Sequence, residues 1–128
     1  MAYLCDTQLL VWLGNVPEKL SKAAMRILRD PENEIYFSLV SIWEIAIKSG
    51  LGRPDFRADP KLVERELLNF GLKLLRIESE HVYGVANLPR IHRNPFDRLL
   101  VAQAKVEGLT LITADKVLAK YGSFVERV

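Results

Sequence analysis

Cysteine is nearly absent: Cys5 is the only one in 128 residues, and it sits in an apolar run. One thiol cannot close an intrachain disulfide, which fits a reducing compartment, and it cannot build a thiolate metal cluster. Histidine is scarce too, with two residues and no close pair, so the ligands of a zinc site are lacking. Excess charge is missing. A formal net charge of +2 argues against holding nucleic acid by bulk charge alone, while leaving room for a local basic patch. No apolar run approaches the roughly 20 residues of a membrane span. The first residues, MAYLCDTQLLVWLG, have no basic lead-in and are interrupted by Asp6, unlike a secretory signal. No repeat, low-complexity tract or long linker divides the chain. One domain over residues 1–128, no membrane contact and a cytoplasmic location are the expectations.

What the chain does have is apolar content, 49% of its residues, enough for a real core at this length. Short apolar runs alternate with helical patterns. YLC, EIYFSLV, LKLLRI and LTLIT read as strands, and SFVERV as a further edge strand. TQLLVWLG, EKLSKAAMRILRD, SIWEIAIKSG, KLVERELLNF and the segment from Pro95 to Gly108 read as helices, and SEHVYGVANL as a short helix or turn. Asp59-Pro60 has the look of a cap and first helical residue, and LGRPDFRA reads as a loop. Such alternation predicts an α/β fold with a parallel sheet covered on both faces. Ligands in these folds sit beyond the carboxyl ends of the strands.

Four acids fall where a strand ends or a helix begins: Asp6, Glu44, Asp97 and Asp115. Each has an ordinary explanation. Ser41 and Glu44 have capping-box spacing, and Glu44 can pair with Lys48 one turn on. Asn94 and Asp97 repeat that spacing, and a carboxylate there suits the positive end of the helix dipole. Asp6 and Asp115 fit turns or caps after strands. Together they mean more. Asp97 shares a helix face with Leu100, Val101 and Ala104, which are apolar. Four carboxylates gathered at one sheet edge repel one another and raise their proton affinity. A hard dication removes that cost, and oxygen donors select Mg²⁺ or Mn²⁺. An acidic pocket of this kind serves phosphate chemistry. Arg90, His92, Arg93 and Arg98 surround Asp97, where basic groups can hold flanking phosphates, with His92, Arg93 and Arg98 the candidates. The hydroxyls of Thr7 and Thr113 stand beside Asp6 and Asp115 and can position a water. Trp43 and Trp12 read as packing residues rather than base-stacking ones.

These segments resemble a known family. LCDTQLLVWL, SIWEIAIKSGLGR, LPRIHRNPFDRLLVAQAKVEGLTLITAD and KYG, in that order along nearly the whole chain, resemble PIN-domain proteins, and among them VapC-type toxins of toxin–antitoxin pairs. The resemblance implies a Rossmann-like sheet of four or five parallel strands with helices on both faces. It also implies a Mg²⁺- or Mn²⁺-dependent endoribonuclease acting on RNA, a homodimer, and a cognate antitoxin as inhibitor. The family's acids fall on Asp6 of LCDT, Glu44 of WEI, Asp97 of PFDR and Asp115 of TAD. Asn94 departs from the pattern, because many relatives carry an aspartate there. It keeps the cap and removes one charge near the metal.

Two other readings keep the fold: an RNA-processing nuclease without an antitoxin, and a non-catalytic module that binds RNA or a partner. A phosphoacceptor receiver domain fits poorly. Asp6 has no acidic neighbour, and LKLLRI leads into Glu78 without an aspartate.

Overall fold

The computed structural model describes residues 1–52 and 58–128, so most of the expected loop LGRPDFRA lies outside the described residues. The chain folds in the order β1 (Ala2–Cys5), α1 (Thr7–Asn15), a 3-10 turn (Pro17–Lys19), α2 (Lys22–Arg29), β2 (Glu34–Ser38), α3 (Leu39–Gly50), α4 (Pro60–Asn69), β3 (Lys73–Leu75), α5 (Ser79–Ala86), α6 (Pro95–Glu107), β4 (Thr110–Thr113), a second 3-10 turn (Leu118–Tyr121) and β5 (Val125–Arg127). The five strands form one sheet in the order β3-β2-β1-β4-β5, every pair parallel. Strand order therefore reverses at β1, and the switch point lies between β1 and β4. Among the described residues, no helix is long and apolar enough to cross a membrane.

The sheet is buried on both faces because its central strands alternate between two cores. Tyr3, Cys5, Ile35, Phe37 and Ile112 join Leu9, Leu10 and Leu67 on one side. Leu4 and Leu111 join Leu100, Val101 and Ala104 of α6 on the other. Cys5 is fully buried, and burial pushes its thiol well above the usual range, so it behaves as a small apolar residue. Gly108 ends α6 in the left-handed conformation at φ 69°, which only glycine adopts without strain.

Local boundaries differ from the sequence reading for identifiable reasons. The helix expected over EKLSKAAMRILRD begins only at Lys22, because Ser21 caps it by accepting from the Ala24 N–H at 3.0 Å. Similarly, α3 begins two residues before Ser41, because Ser38 accepts from the Val40 N–H. The Ser41–Glu44 capping box is therefore absent. Ser41 lies inside the helix, and its hydroxyl pairs with that of Thr7 at 2.8 Å. Helix α1 runs through Gly14, and Gly50 is the last residue of α3 rather than the one past it.

Candidate functional site

Asp6 follows β1 and stands at the cap position of α1, yet its side chain caps nothing. Instead Oδ2 accepts from Thr113 Oγ1 at 2.5 Å, across the β1–β4 switch point. The Asp115 N–H donates to the same Thr113 hydroxyl at 3.0 Å. Asp115 does make its turn: Oδ1 accepts from the Val117 N–H at 2.8 Å, which leaves Oδ2 facing His92 Nε2 at 3.2 Å. Asp97 sits in the first turn of α6, where Asn94 Oδ1 accepts from the Phe96 and Asp97 N–H groups. The cap is thus supplied by Asn94, and the Asp97 carboxylate turns inward, its Oδ2 lying 3.5 Å from His92 Nε2. One ligand-capable atom each of His92, Asp97 and Asp115 lies within 4.8 Å of the other two.

Glu44 comes from the second turn of α3 and is buried. Its Oε2 pairs with Lys48 Nζ at 2.7 Å, the one-turn pair the spacing predicts. Its Oε1 is buried with no hydrogen-bond partner. A buried carboxylate oxygen left without a donor is costly.

The carboxylates feel one another. Burial pushes Asp97 up from its ordinary value of 3.8 to about 7, and Asp6 and Glu44 add to the rise. The His92 imidazole opposes it, and Asp115 adds a little more. Burial likewise raises Asp6 to about 6, against the pull of the Thr113 hydrogen bond and with help from Glu44 and Asp115. Four acids spread over 110 residues of sequence thus act as one electrostatic group at the carboxyl edge of the sheet.

The polar neighbours divide. Arg90 and Arg93 are exposed and, with His92 and Arg98, line a cleft of about 600 Å³. Arg98, however, is committed inside the protein. It donates to the carbonyls of Pro89 and Val85, at 3.1 and 3.2 Å, and to the Tyr121 hydroxyl at 3.4 Å. Thr7 is buried beside Asp6 with its hydroxyl on Ser41. Trp43 packs α3 on α6, meeting Phe96 edge-on at 4.7 Å while staying 47% exposed. Trp12 is half-buried at the rim of the α1 core. Tyr121 of the KYG segment went without a role in the sequence reading. Its oxygen accepts from the His92 N–H at 3.0 Å, a contact no local pattern announces.

Apart from His92 the groups gathered here are carboxylates, which suit a hard dication, and the unpartnered Glu44 Oε1 is an oxygen such an ion satisfies.

Comparison with known proteins agrees with this architecture. No curated protein matches the sequence significantly. Among solved structures, VapBC2 from Rickettsia felis, bound to a DNA fragment from its promoter, is similar at a TM-score of 0.72 and 15% identity, over 99% of this chain and 98% of that one. VapBC-1 from nontypeable Haemophilus influenzae gives 0.64 and 18%, over 100% and 97%. VapBC-5 from Mycobacterium tuberculosis, a member of the VapBC family of toxin–antitoxin systems, gives 0.63 and 19%, over 99% and 97%. The family model described as PIN domain matches residues 3–123. This chain, with its five-stranded parallel sheet and the acids at its carboxyl edge, belongs to the PIN domain family.

Proposed function

We propose that the protein is a VapC-type toxin: a Mg²⁺- or Mn²⁺-dependent endoribonuclease, formed by one domain over residues 1–128, dimeric, cytoplasmic and silenced by a cognate antitoxin. The observation that carries this reading is the gathering of Asp6, Glu44, Asp97 and Asp115 at the switch point of a parallel sheet, where burial and acidic neighbours raise Asp6 and Asp97. The fold-level likeness to toxin–antitoxin structures supports it.

Asp6 and Asp97 would hold the ion, with Asp115 beside them and Glu44 sharing it. When bound, that dication would lower the pKa of the attacking water, and a second one arriving with the substrate would stabilise the leaving 3′ oxygen. The chain supplies the rest. Glu44 Oε1, lacking a partner, orients the water or takes its proton. Thr113 holds Asp6 in place, while the Thr7 hydroxyl beside it is taken up by Ser41. Arg90 and Arg93 face outward in the adjoining cleft, where they hold the phosphates on either side of the scissile bond. In-line attack by water leaves a 5′-phosphate and a 3′-hydroxyl.

Incubation of the purified protein with mixed RNA, followed by sequencing of the ends, tests this. Cleavage should need Mg²⁺ or Mn²⁺, stop with EDTA, and vanish in Asp97→Asn. Cleavage that persists in EDTA, or equal cleavage by the variant, contradicts the reading.

A further inference from the structure

His92 lines the arginine cleft, and its ring also stands between two of the four acids, Asp97 and Asp115. Its side chain is 20% exposed, and Nε2 points between Asp115 Oδ2 at 3.2 Å and Asp97 Oδ2 at 3.5 Å. The other ring nitrogen decides what Nε2 can do. Nδ1 accepts the backbone N–H of Asn94 at 3.1 Å. A neutral imidazole has one N–H and one lone pair. With the Nδ1 lone pair facing a donor, the proton resides on Nε2. A metal-ligating imidazole shows the reverse: a bare nitrogen toward the ion, and an N–H given to a carbonyl or carboxylate. Nε2 of His92 is therefore placed to donate to Asp115, with the Asp97 carboxylate beside it at 3.5 Å, and in this tautomer it has no lone pair to offer a cation.

The segment carrying the ring is braced. The His92 N–H and Arg98 Nη1 both donate to the Tyr121 hydroxyl, and Arg98 also ties down the carbonyls of Val85 and Pro89. Asp97 comes from α6 and Asp115 from the turn after β4, and the two repel each other. A fixed N–H between them counters that repulsion and aims both.

We propose that His92 is a positioning residue whose Nε2–H bridges Asp97 and Asp115 and orients them for the divalent cation. This rests on the reading of the site as a metal-dependent nuclease. It assigns His92 to the carboxylates instead of to a substrate phosphate.

Calorimetric titration with Mn²⁺ of the wild type, His92→Ala, His92→Gln and Asp97→Asn tests it. His92→Ala should bind about 10-fold or more weakly, the usual loss when a partner of a metal ligand is removed. His92→Gln, whose amide N–H reaches to about where Nε2 lies, should recover most of that loss. Unchanged affinity in His92→Ala overturns the proposal while leaving the site reading intact, provided the wild type binds and Asp97→Asn does not. No Mn²⁺ binding by the wild type overturns both. Nitrogen NMR of histidine-labelled wild type gives a readout that needs no variant to fold, since there are only two histidines. Nε2 of His92 should keep its proton in saturating Mg²⁺. Loss of that proton on adding Mg²⁺ makes His92 a ligand and contradicts the proposal.

Discussion

Thr113 Oγ1 donates to Asp6 Oδ2 at 2.5 Å, although 107 residues separate them in sequence. Adjacent parallel strands make this meeting, because Cys5 on β1 pairs with Ile112 on β4 and the next residue of each strand reaches the carboxyl edge. The hydrogen bond holds Asp6 below the value that burial alone would set. Thr113→Val should therefore raise the proton affinity of Asp6 further. Mn²⁺ affinity near neutral pH should fall, with the variant recovering toward wild type as the pH is raised. A pH series of Mn²⁺ titrations checks this, and parallel curves for the two proteins would count against it.

Asp97→Asn removes a half-buried like charge while keeping shape and the Asn94 cap. Cleavage and metal binding should be lost, yet the metal-free variant should be at least as stable as the wild type. Urea unfolding in EDTA measures this. A variant that unfolds more easily than the wild type would show that Asp97 serves the fold rather than the site.

The raised acids also set a pH dependence. Asp6 and Asp97 titrate at about 6 and about 7 in the folded protein, against 3.8 in the unfolded chain. Between those values the native state binds more protons than the unfolded one, so both groups lower stability as pH rises. With EDTA present, they should make the protein less stable at about pH 8 than at about pH 5. The difference should shrink in Asp97→Asn, and Mn²⁺ should restore stability at the higher pH by binding the native state. Unfolding midpoints at both pH values decide it. A wild type and variant with the same pH slope would contradict the coupling.

Tyr121→Phe deletes the oxygen that accepts from both the His92 N–H and Arg98 Nη1. The cost should be about 1–2 kcal/mol of stability, with a weakening of Mn²⁺ binding in the same direction as His92→Ala. Thermal unfolding and the same titration test the two effects separately. Unaltered metal affinity would uncouple the brace from the site.

Much of the architecture is legible in the sequence because its signals are local. Strand runs such as EIYFS and the Asn94-Pro95 cap are set by neighbouring residues, and the sheet and α6 follow them. The capping box at Ser41 misleads for the same local reason. SLVS offers two serines, and only the close of β2 at Ser38 decides which one caps α3. The acids were visible as four positions at element junctions. Their ordinary roles prove separable only in three dimensions: Asp115 keeps its turn, whereas Asp6 and Glu44 cap nothing. The arginines around Asp97 look alike in sequence, but Arg98 is committed to backbone carbonyls that lie 9 and 13 residues away. His92 and Tyr121 meet across 29 residues. Contacts of that range depend on the closed sheet and leave no periodic trace.

The central claim is that carboxylates distant in sequence hold one hard dication between them. Anomalous diffraction from a crystal of the wild-type protein soaked in Mn²⁺ tests it most directly. The account predicts a peak in contact with the carboxylates of Asp6 and Asp97, with Glu44 and Asp115 around it and His92 Nε2 outside the coordination shell. No peak in the pocket, or a Mn²⁺ ion bound away from these oxygens, would contradict it.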